Sequence, residues 1–232
     1  MHIKLFTLSI LLVLTSLINL HSQQTPAALS VGYINQSIPV GLSMIANQLN
    51  SFTNNNLITL FGKPTLVDVA PGAPGNITVY SFNGTGYDGL TYDLENGWTG
   101  QTNMSLNLGG GVFIDNASGA PLVITFKGKV QNNSTNVITA GQGIYSSVIP
   151  QSLSVNLLNL PTPSVSVATL NVNFYNALTG IYHGYTYETE QGGWLPFIPT
   201  PLIGESFFID WADSDSNGNH IGSLSWTRNF VP

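Results

Sequence analysis

The chain has 232 residues, and only 7% of them are charged, with five Lys or Arg against 11 Asp or Glu. A formal net charge of −6 repels phosphate backbones and excludes nucleic-acid binding. The absence of cysteine excludes disulfides, thiolate catalysis and cysteine-ligated metals. Solubility must therefore come from uncharged polar side chains, which suits a protein of the cell exterior.

The N-terminal segment has the layout of a secretory signal. Lys4 precedes an apolar run from Leu5 to Leu20, and polar residues follow. This order predicts a signal peptide over residues 1–22 and a secreted or cell-surface protein with no membrane span after cleavage. The run is shorter than the roughly 20 residues that a spanning helix needs, although a retained anchor is the alternative.

After this segment the elements are predicted to be almost all strands. The best helix candidate is 54–62, which begins with asparagines and ends at a glycine. Strands are predicted at 122–128 and 169–176, because apolar and polar residues alternate there with a period of two. Asn83-Gly84 and Asn96-Gly97 are dipeptides that close tight hairpins.

The sequence repeats itself. The stretch "YINQSIPVGLS" at 33–43 is similar to "IYSSVIPQSLS" at 144–154. Three further stretches recur in the same order: 92–98 in 187–194, 108–115 in 203–210, and 122–128 in 222–229. A conserved order of matching stretches indicates a tandem duplication.

The duplication sets the expected domain boundaries. We expect a first β-module at 23–130, a polar linker at 131–143 and a second β-module at 144–232. The predicted fold class is all-β, with two tandem antiparallel β-sandwich-like modules related by internal duplication and at most short helices. Exposed strand edges of such modules would also permit self-assembly by strand addition.

The first copy carries a series of motifs: "GLSMIANQLN" (41–50), "VYSFNGTGY" (79–87), "YDLENGW" (92–98), "LGGGVFI" (108–114) and "ITFKGKV" (124–130). This series resembles a module that recurs in secreted and surface-attached bacterial proteins. Gln48, Phe82 and Leu108 depart from that pattern, which has proline, tryptophan and proline there. The resemblance implies a β-fold and a surface location, and it transfers no catalytic residues.

Aromatic residues of the predicted hairpins are the first candidate site. Tyr87 and Trp98 in the first copy, and Trp194 in the second, could stack on sugar rings if their side chains were exposed. The alternative is that these aromatics form the cores of the two sheets. Glycans or other surface and matrix polymers are therefore the expected partners.

Two carboxylates in "TYDLENGW" are the second candidate. On a strand, Asp93 and Glu95 would share one face about 6.5 Å apart. That separation is near the ~6.5–9.5 Å of inverting glycosidases. Both acids would lie on the wet face, however, whereas one member of a catalytic pair must be desolvated to act as a general acid. A solubilising hairpin edge is the preferred interpretation, and a glycoside-active enzyme is an alternative.

The third candidate is a cation loop in "DWADSDSNGNHIG". Asp213, Asp215 and Asn217 have the alternating oxygen ligands of a calcium loop, followed by a turn glycine. The twelfth position of such a loop, where a glutamate normally closes the site, is Leu224 here. A solvated hairpin tip is therefore favoured over a calcium site. No other cofactor is expected. The sequence therefore predicts a non-enzymatic secreted or cell-surface protein with a structural or adhesive role.

Overall fold

The computed structural model describes residues 31–64, 76–163, 169–212 and 222–229. The expected signal peptide at 1–22 lies outside these ranges. The described chain is antiparallel β-structure with one short helix, which confirms the predicted all-β fold. No helix within the described ranges is long and apolar enough to cross a membrane.

The chain contains two halves with one topology. The elements of the first half are β1 (Val31–Ile38), β2 (Gly41–Ile45), α1 (Leu57–Phe61), β3 (Ile77–Phe82), β4 (Tyr87–Asp93), β5 (Gly97–Gly100), β6 (Val112–Asn116) and β7 (Leu122–Lys129). Those of the second half are β8 (Asn133–Ile138), β9 (Gly141–Ser146), β10 (Thr169–Asn176), β11 (Ile181–Glu188), β12 (Gly193–Leu195), β13 (Ser206–Ala212) and β14 (Leu224–Asn229).

Each half has a two-stranded and a five-stranded sheet. In the first half β1 pairs with β7, and the other sheet has the order β2-β6-β3-β4-β5. In the second half β8 pairs with β14, and the order is β9-β13-β10-β11-β12. Strands β1 to β7 thus correspond one by one to β8 to β14, which confirms the internal repeat.

Both sheets of a half share one core, as the period-two patterns predict. On β7, Leu122, Ile124 and Phe126 are buried and alternate with less buried residues. Together with Ile34 of β1 they pack on the five-stranded sheet around Ile114. The second half has the same arrangement. Burial of one such side chain contributes about 1.5–3 kcal/mol, so these faces hold the sheets of each half together.

Helix α1 is placed where its end signals predict it. The Asn56 side chain accepts a hydrogen bond from the Ile58 amide at 2.9 Å, and Gly62 ends the helix at φ 60°. Leu57 is fully buried and attaches the helix to the first core. The predicted range of 54–62 therefore includes the helix together with its two caps.

The segment expected to be a linker differs from that expectation. Residues 131–143 contain β8 and the start of β9, so they belong to the second half. Gly41 and Gly141 open equivalent strands at φ 92° and 88°. The structural equivalent of 33–43 is consequently 133–143, and the predicted match with 144–154 is wrong.

The polar inward face of β8 explains why its sequence predicts a linker. The half-buried positions of β8 include Ser134 and Asn136, both of which accept hydrogen bonds from the buried guanidinium of Arg228. A strand whose inward face is polar has no apolar alternation, so it resembles a linker in the sequence.

The two halves pack on each other through their five-stranded sheets. Met44 and Phe113 of the first half and Ile144 and Phe208 of the second form one buried cluster. In the strand registers Met44 faces Phe113, and Ile144 faces Phe208, so the two pairs are equivalent. Contacts that are reciprocal in this way are those of a two-fold interface, here within one chain.

Backbone hydrogen bonds repeat the same reciprocity. The amide of Ala46 donates to the carbonyl of Gly204, and the amide of Ser146 donates to the carbonyl of Gly109, both at 2.8 Å. The backbone of Gly109 also lies very close to the Asn136 side chain, because a Cβ at Gly109 would collide with the side-chain amide of Asn136. We call this contact between the two halves the junction. It consists of the buried cluster around Phe113 and Phe208 and of the backbone hydrogen bonds just described.

We predict that Gly109→Ala destabilises the protein more than Gly84→Ala. Both glycines have positive φ, at 81° and 97°, so each alanine costs about 1–2 kcal/mol in backbone strain. At Gly84 the new methyl group meets nothing within 4 Å, whereas at Gly109 it also meets the Asn136 amide. Urea denaturation of both variants measures the difference. Equal destabilisation would contradict a tight junction at Gly109.

Candidate functional site

The junction opens into a cleft that aromatic rings from both halves line. Tyr87 and Tyr182 form its rim, with 48% and 46% of their side chains exposed. The buried rings of Phe113 and Phe208 lie beneath them. We call this feature the tyrosine cleft.

The ring contacts of the cleft are reciprocal. Ring centroids of Tyr87 and Phe113 are 5.9 Å apart, and those of the equivalent Tyr182 and Phe208 are 6.0 Å apart. Phe113 and Phe208 meet at 5.8 Å and join the two sets. These distances lie within the range of roughly 4.5–7 Å that aromatic pairs prefer. Each tyrosine therefore rests on a ring that the other half helps to fix.

Hairpin turns position the two tyrosines. The Asn83 side chain accepts hydrogen bonds from the amides of Thr85 and Gly86, which closes the turn just before Tyr87. Asn176 does the same with the amides of the next turn, before Tyr182. An asparagine that caps its own turn is a local sequence signal. Both rims are consequently set by short-range interactions.

Two cavities of similar size flank the tyrosine pair. One, of about 340 Å³, is lined by Leu42, Tyr80, Phe113 and both rim tyrosines. The other, of about 350 Å³, is lined by Gln142, Asn173, Phe208 and both rim tyrosines. None of these side chains carries a charge at neutral pH, so the lining offers hydrogen bonds and apolar surface.

The hydroxyl groups of the rim stay neutral. Burial raises the pKa of Tyr87 above its ordinary value of 10.0. Burial is also the largest cause of the raised pKa of Tyr182, followed by repulsion from Tyr87 and Tyr175. At physiological pH both phenols are therefore protonated and can donate or accept a hydrogen bond.

Of the predicted aromatic site residues, only Tyr87 lies in the cleft. Trp194 is 5% exposed, and its indole N–H donates to Asn156 at 3.0 Å. The indole N–H of Trp98 donates to the carbonyl of Gly62 at 2.6 Å, which ties β5 to the end of α1. Trp194 is thus a core residue of the second half, and Trp98 packs half-buried against the first core.

The structure places the two predicted carboxylates in different elements. Strand β4 ends at Asp93, and Glu95 lies in the following turn, so the expected common strand face is wrong. Asp93 accepts hydrogen bonds from the amides of Asn96 and Glu95, at 2.6 and 2.9 Å. The bonds from Asn96 are the main cause of a lowered pKa at Asp93. A general acid needs the opposite shift, and Asp93 instead stabilises its turn.

The predicted cation ligands Asp213, Asp215 and Asn217 lie outside the described residues. Within the described ranges, no three acidic or histidine side chains are close enough to hold a metal ion. Calcium binding at 213–217 therefore stays a prediction.

Tyr182 and the two cavity walls were not predicted as site residues. The sequence does contain a signal for the junction, because "VFI" in β6 and "FFI" in β13 are apolar without alternation. Such a run predicts a strand that is buried on both faces. Combined with the repeat, which makes Tyr182 the equivalent of Tyr87, this signal would have indicated the cleft.

A further cavity, of about 440 Å³, is lined by residues of the second half that include His183, Tyr185 and Glu205. Burial raises the pKa of Glu205, although a hydrogen bond from the Leu202 amide, at 2.7 Å, opposes the shift. Gly110 is the equivalent residue in the first half, so only the second half has a carboxyl here.

We predict that Glu205→Gln stabilises the protein at pH 7. The folded-state pKa of Glu205 lies above the ordinary 4.5, so its stabilising contribution is complete below that pH and is lost as the pH rises through the folded value. Glutamine removes the buried charge and keeps an oxygen for the Leu202 amide. Thermal unfolding should show a higher Tm for the variant at pH 7 and little difference at pH 4. Exposed Glu190→Gln is the control, and an equal gain there would contradict the assignment.

We also predict that Tyr87→Phe lowers the pKa of Tyr182 toward 10, because repulsion between the two ionising phenols disappears. Burial still contributes, so the fall is partial. An NMR titration with carbon-labelled tyrosine measures it, and Tyr33→Phe, on β1, is the matched control. A Tyr182 pKa that ignores the loss of the Tyr87 hydroxyl would contradict the shared cleft.

Searches with family models, among curated proteins and among solved structures gave no match for this chain.

Proposed function

We propose that the chain is a non-enzymatic structural or adhesive protein of the cell exterior, and that it holds neutral polymers, glycans above all, in the tyrosine cleft. The observation that carries this proposal is the pair of half-exposed tyrosines, Tyr87 and Tyr182, which stand over buried rings in a cleft whose lining residues carry no charge.

The chemistry of the cleft suits a sugar. The C–H face of a sugar ring packs on an aromatic face, while its hydroxyls need hydrogen-bond partners at the edge. Tyr87 and Tyr182 offer both, because their rings are exposed and their hydroxyls are neutral. The amides of Gln142 and Asn173 add neutral donors and acceptors in the adjoining cavity.

The absence of charged side chains from the cavity lining favours a neutral polymer over an anionic or a cationic one. An anionic polymer would need Lys or Arg, and a cationic one would need carboxylates, but the lining residues of the two cavities include neither. The same lining contains no histidine or carboxyl for proton transfer, which favours binding over turnover. The predicted signal peptide and the uncharged polar composition support a location outside the cell.

We predict that Tyr87→Ala and Tyr182→Ala each weaken binding to neutral polysaccharides about tenfold, because each loses a stacking surface and a hydroxyl. A glycan array identifies the ligand, and titration calorimetry with that ligand measures the change. The proposal predicts no turnover of the ligand by the unaltered protein.

The matched control is Tyr33→Ala on β1, because this tyrosine is 68% exposed and belongs to another sheet. Its loss should leave binding unchanged. Binding that survives both cleft substitutions, or that falls equally with Tyr33→Ala, would refute the cleft as the adhesive surface.

A further inference from the structure

The two cavities of the tyrosine cleft are structural equivalents whose walls differ in chemistry. Leu42 on β2 faces Asp115, and Gln142 on β9 faces Asp210, which occupies the same place in the second half. An aliphatic wall in one cavity thus corresponds to an amide in the other.

A second pair of equivalent wall residues also differs in polarity, with the amide again in the second cavity. Tyr80 on β3 faces Phe113, and Asn173 on β10 faces Phe208, so the register makes Tyr80 and Asn173 equivalent. We call the cavity with Leu42 and Tyr80 the apolar lobe and the cavity with Gln142 and Asn173 the amide lobe.

The amides of the second lobe have unused hydrogen-bonding capacity. Neither Gln142 nor Asn173 makes a side-chain hydrogen bond with any residue in the described part of the chain. Asn173 is half-buried, and both amides line the cavity. An apolar ligand group that covered them would leave them unpaired, at a cost of about 1–3 kcal/mol for each buried group. The amide lobe therefore selects a ligand part with hydroxyl or carbonyl groups.

The apolar lobe selects the opposite chemistry. Leu42, Tyr80 and Phe113 present aliphatic and aromatic surface, and the cavity holds about 340 Å³. The only polar group among these three side chains is the Tyr80 hydroxyl, so a sugar hydroxyl placed against Leu42 would replace few of its bonds to water. Methylene or methyl groups lose nothing there and gain the hydrophobic contribution.

From this pairing we infer that the cleft recognises a neutral glycan that carries an apolar substituent, such as an acyl or alkyl group. The substituent lies in the apolar lobe, the sugar hydroxyls bond the amides of Gln142 and Asn173, and Tyr87 with Tyr182 stack on the part between. This inference rests on the proposed function and names the class of ligand.

The test compares octyl β-D-glucoside with methyl β-D-glucoside, below the micelle concentration, in the full chain. The two probes share one neutral sugar and differ only in the apolar substituent. Each methylene that enters the apolar lobe should raise affinity about fourfold, so the octyl compound should bind at least tenfold more tightly. Proton NMR should show shifts of the Leu42 methyl groups and of the Asn173 amide with the octyl compound.

Two variants test the contribution of each lobe to binding separately. Leu42→Gln should remove most of the preference for the octyl compound, while Asn173→Ala should weaken both probes about fivefold through the lost hydrogen bonds. Leu178→Gln is the control for detergent binding elsewhere, because Leu178 is 88% exposed outside the cleft. It should change neither affinity.

The outcomes distinguish this inference from the proposed function. Equal affinity for the two probes, or an octyl preference that survives Leu42→Gln, overturns the two-lobed ligand even if neutral polysaccharides still bind through Tyr87. The same holds if polysaccharides bind and the octyl compound does not. If neither probes nor polysaccharides bind in a Tyr87-dependent way, the proposed function fails as well.

Discussion

The architecture depends on the face-to-face packing of two five-stranded sheets at the junction. Strands β6 and β13 are buried on both faces, because each contributes to its own core and also to the contact between halves. Phe113 and Phe208 are 4% and 3% exposed only because the opposite half covers them. Separated halves would expose this apolar surface to water. The cleft exists where these two sheets meet, so fold and site have one origin.

A buried arginine extends this packing to the small sheet of the second half. Arg228 is 1% exposed, its pKa is lowered to about 10 by burial, and it is still protonated at neutral pH. Its guanidinium lies 4.0 Å from the ring centre of Trp226 and donates to Asn136, whose own amide donates to the carbonyl of Leu108 at 3.0 Å. A buried charge held by neutral oxygens needs all of them in place. The small sheet is thus connected to the loop before β6 in the first half.

Features that depend on interactions between residues close in the chain could be predicted from the sequence, whereas features that depend on distant residues could not. The caps of α1 and the alternation in β7 and β10 are local, and both were predicted correctly. β8 was missed because its inward face serves Arg228, which is distant in the chain. The first copy departs from the module pattern it resembles at Gln48 and Phe82, whose side chains contact the other half. Leu108, the third departure, contacts it through its backbone carbonyl, which a proline would also offer. The departures at Gln48 and Phe82 thus carried information about the junction, but only the structure shows which residues they contact.

Tandem fusion gives the cleft a property that a symmetric dimer of one module lacks. In a dimer both lobes would have identical walls, so a ligand could bind equally well in two orientations. Fusion lets position 42 be leucine while its equivalent at position 142 is glutamine, and the rings of Phe113 and Phe208 stay matched because each supports the other half. The packing at the junction constrains the floor of the cleft most, whereas Leu42 and Tyr80 in the walls are only partly buried against it. Floor positions such as Met44 and Ile144 differ but stay apolar, whereas the walls differ in polarity, and this difference gives the cleft a direction.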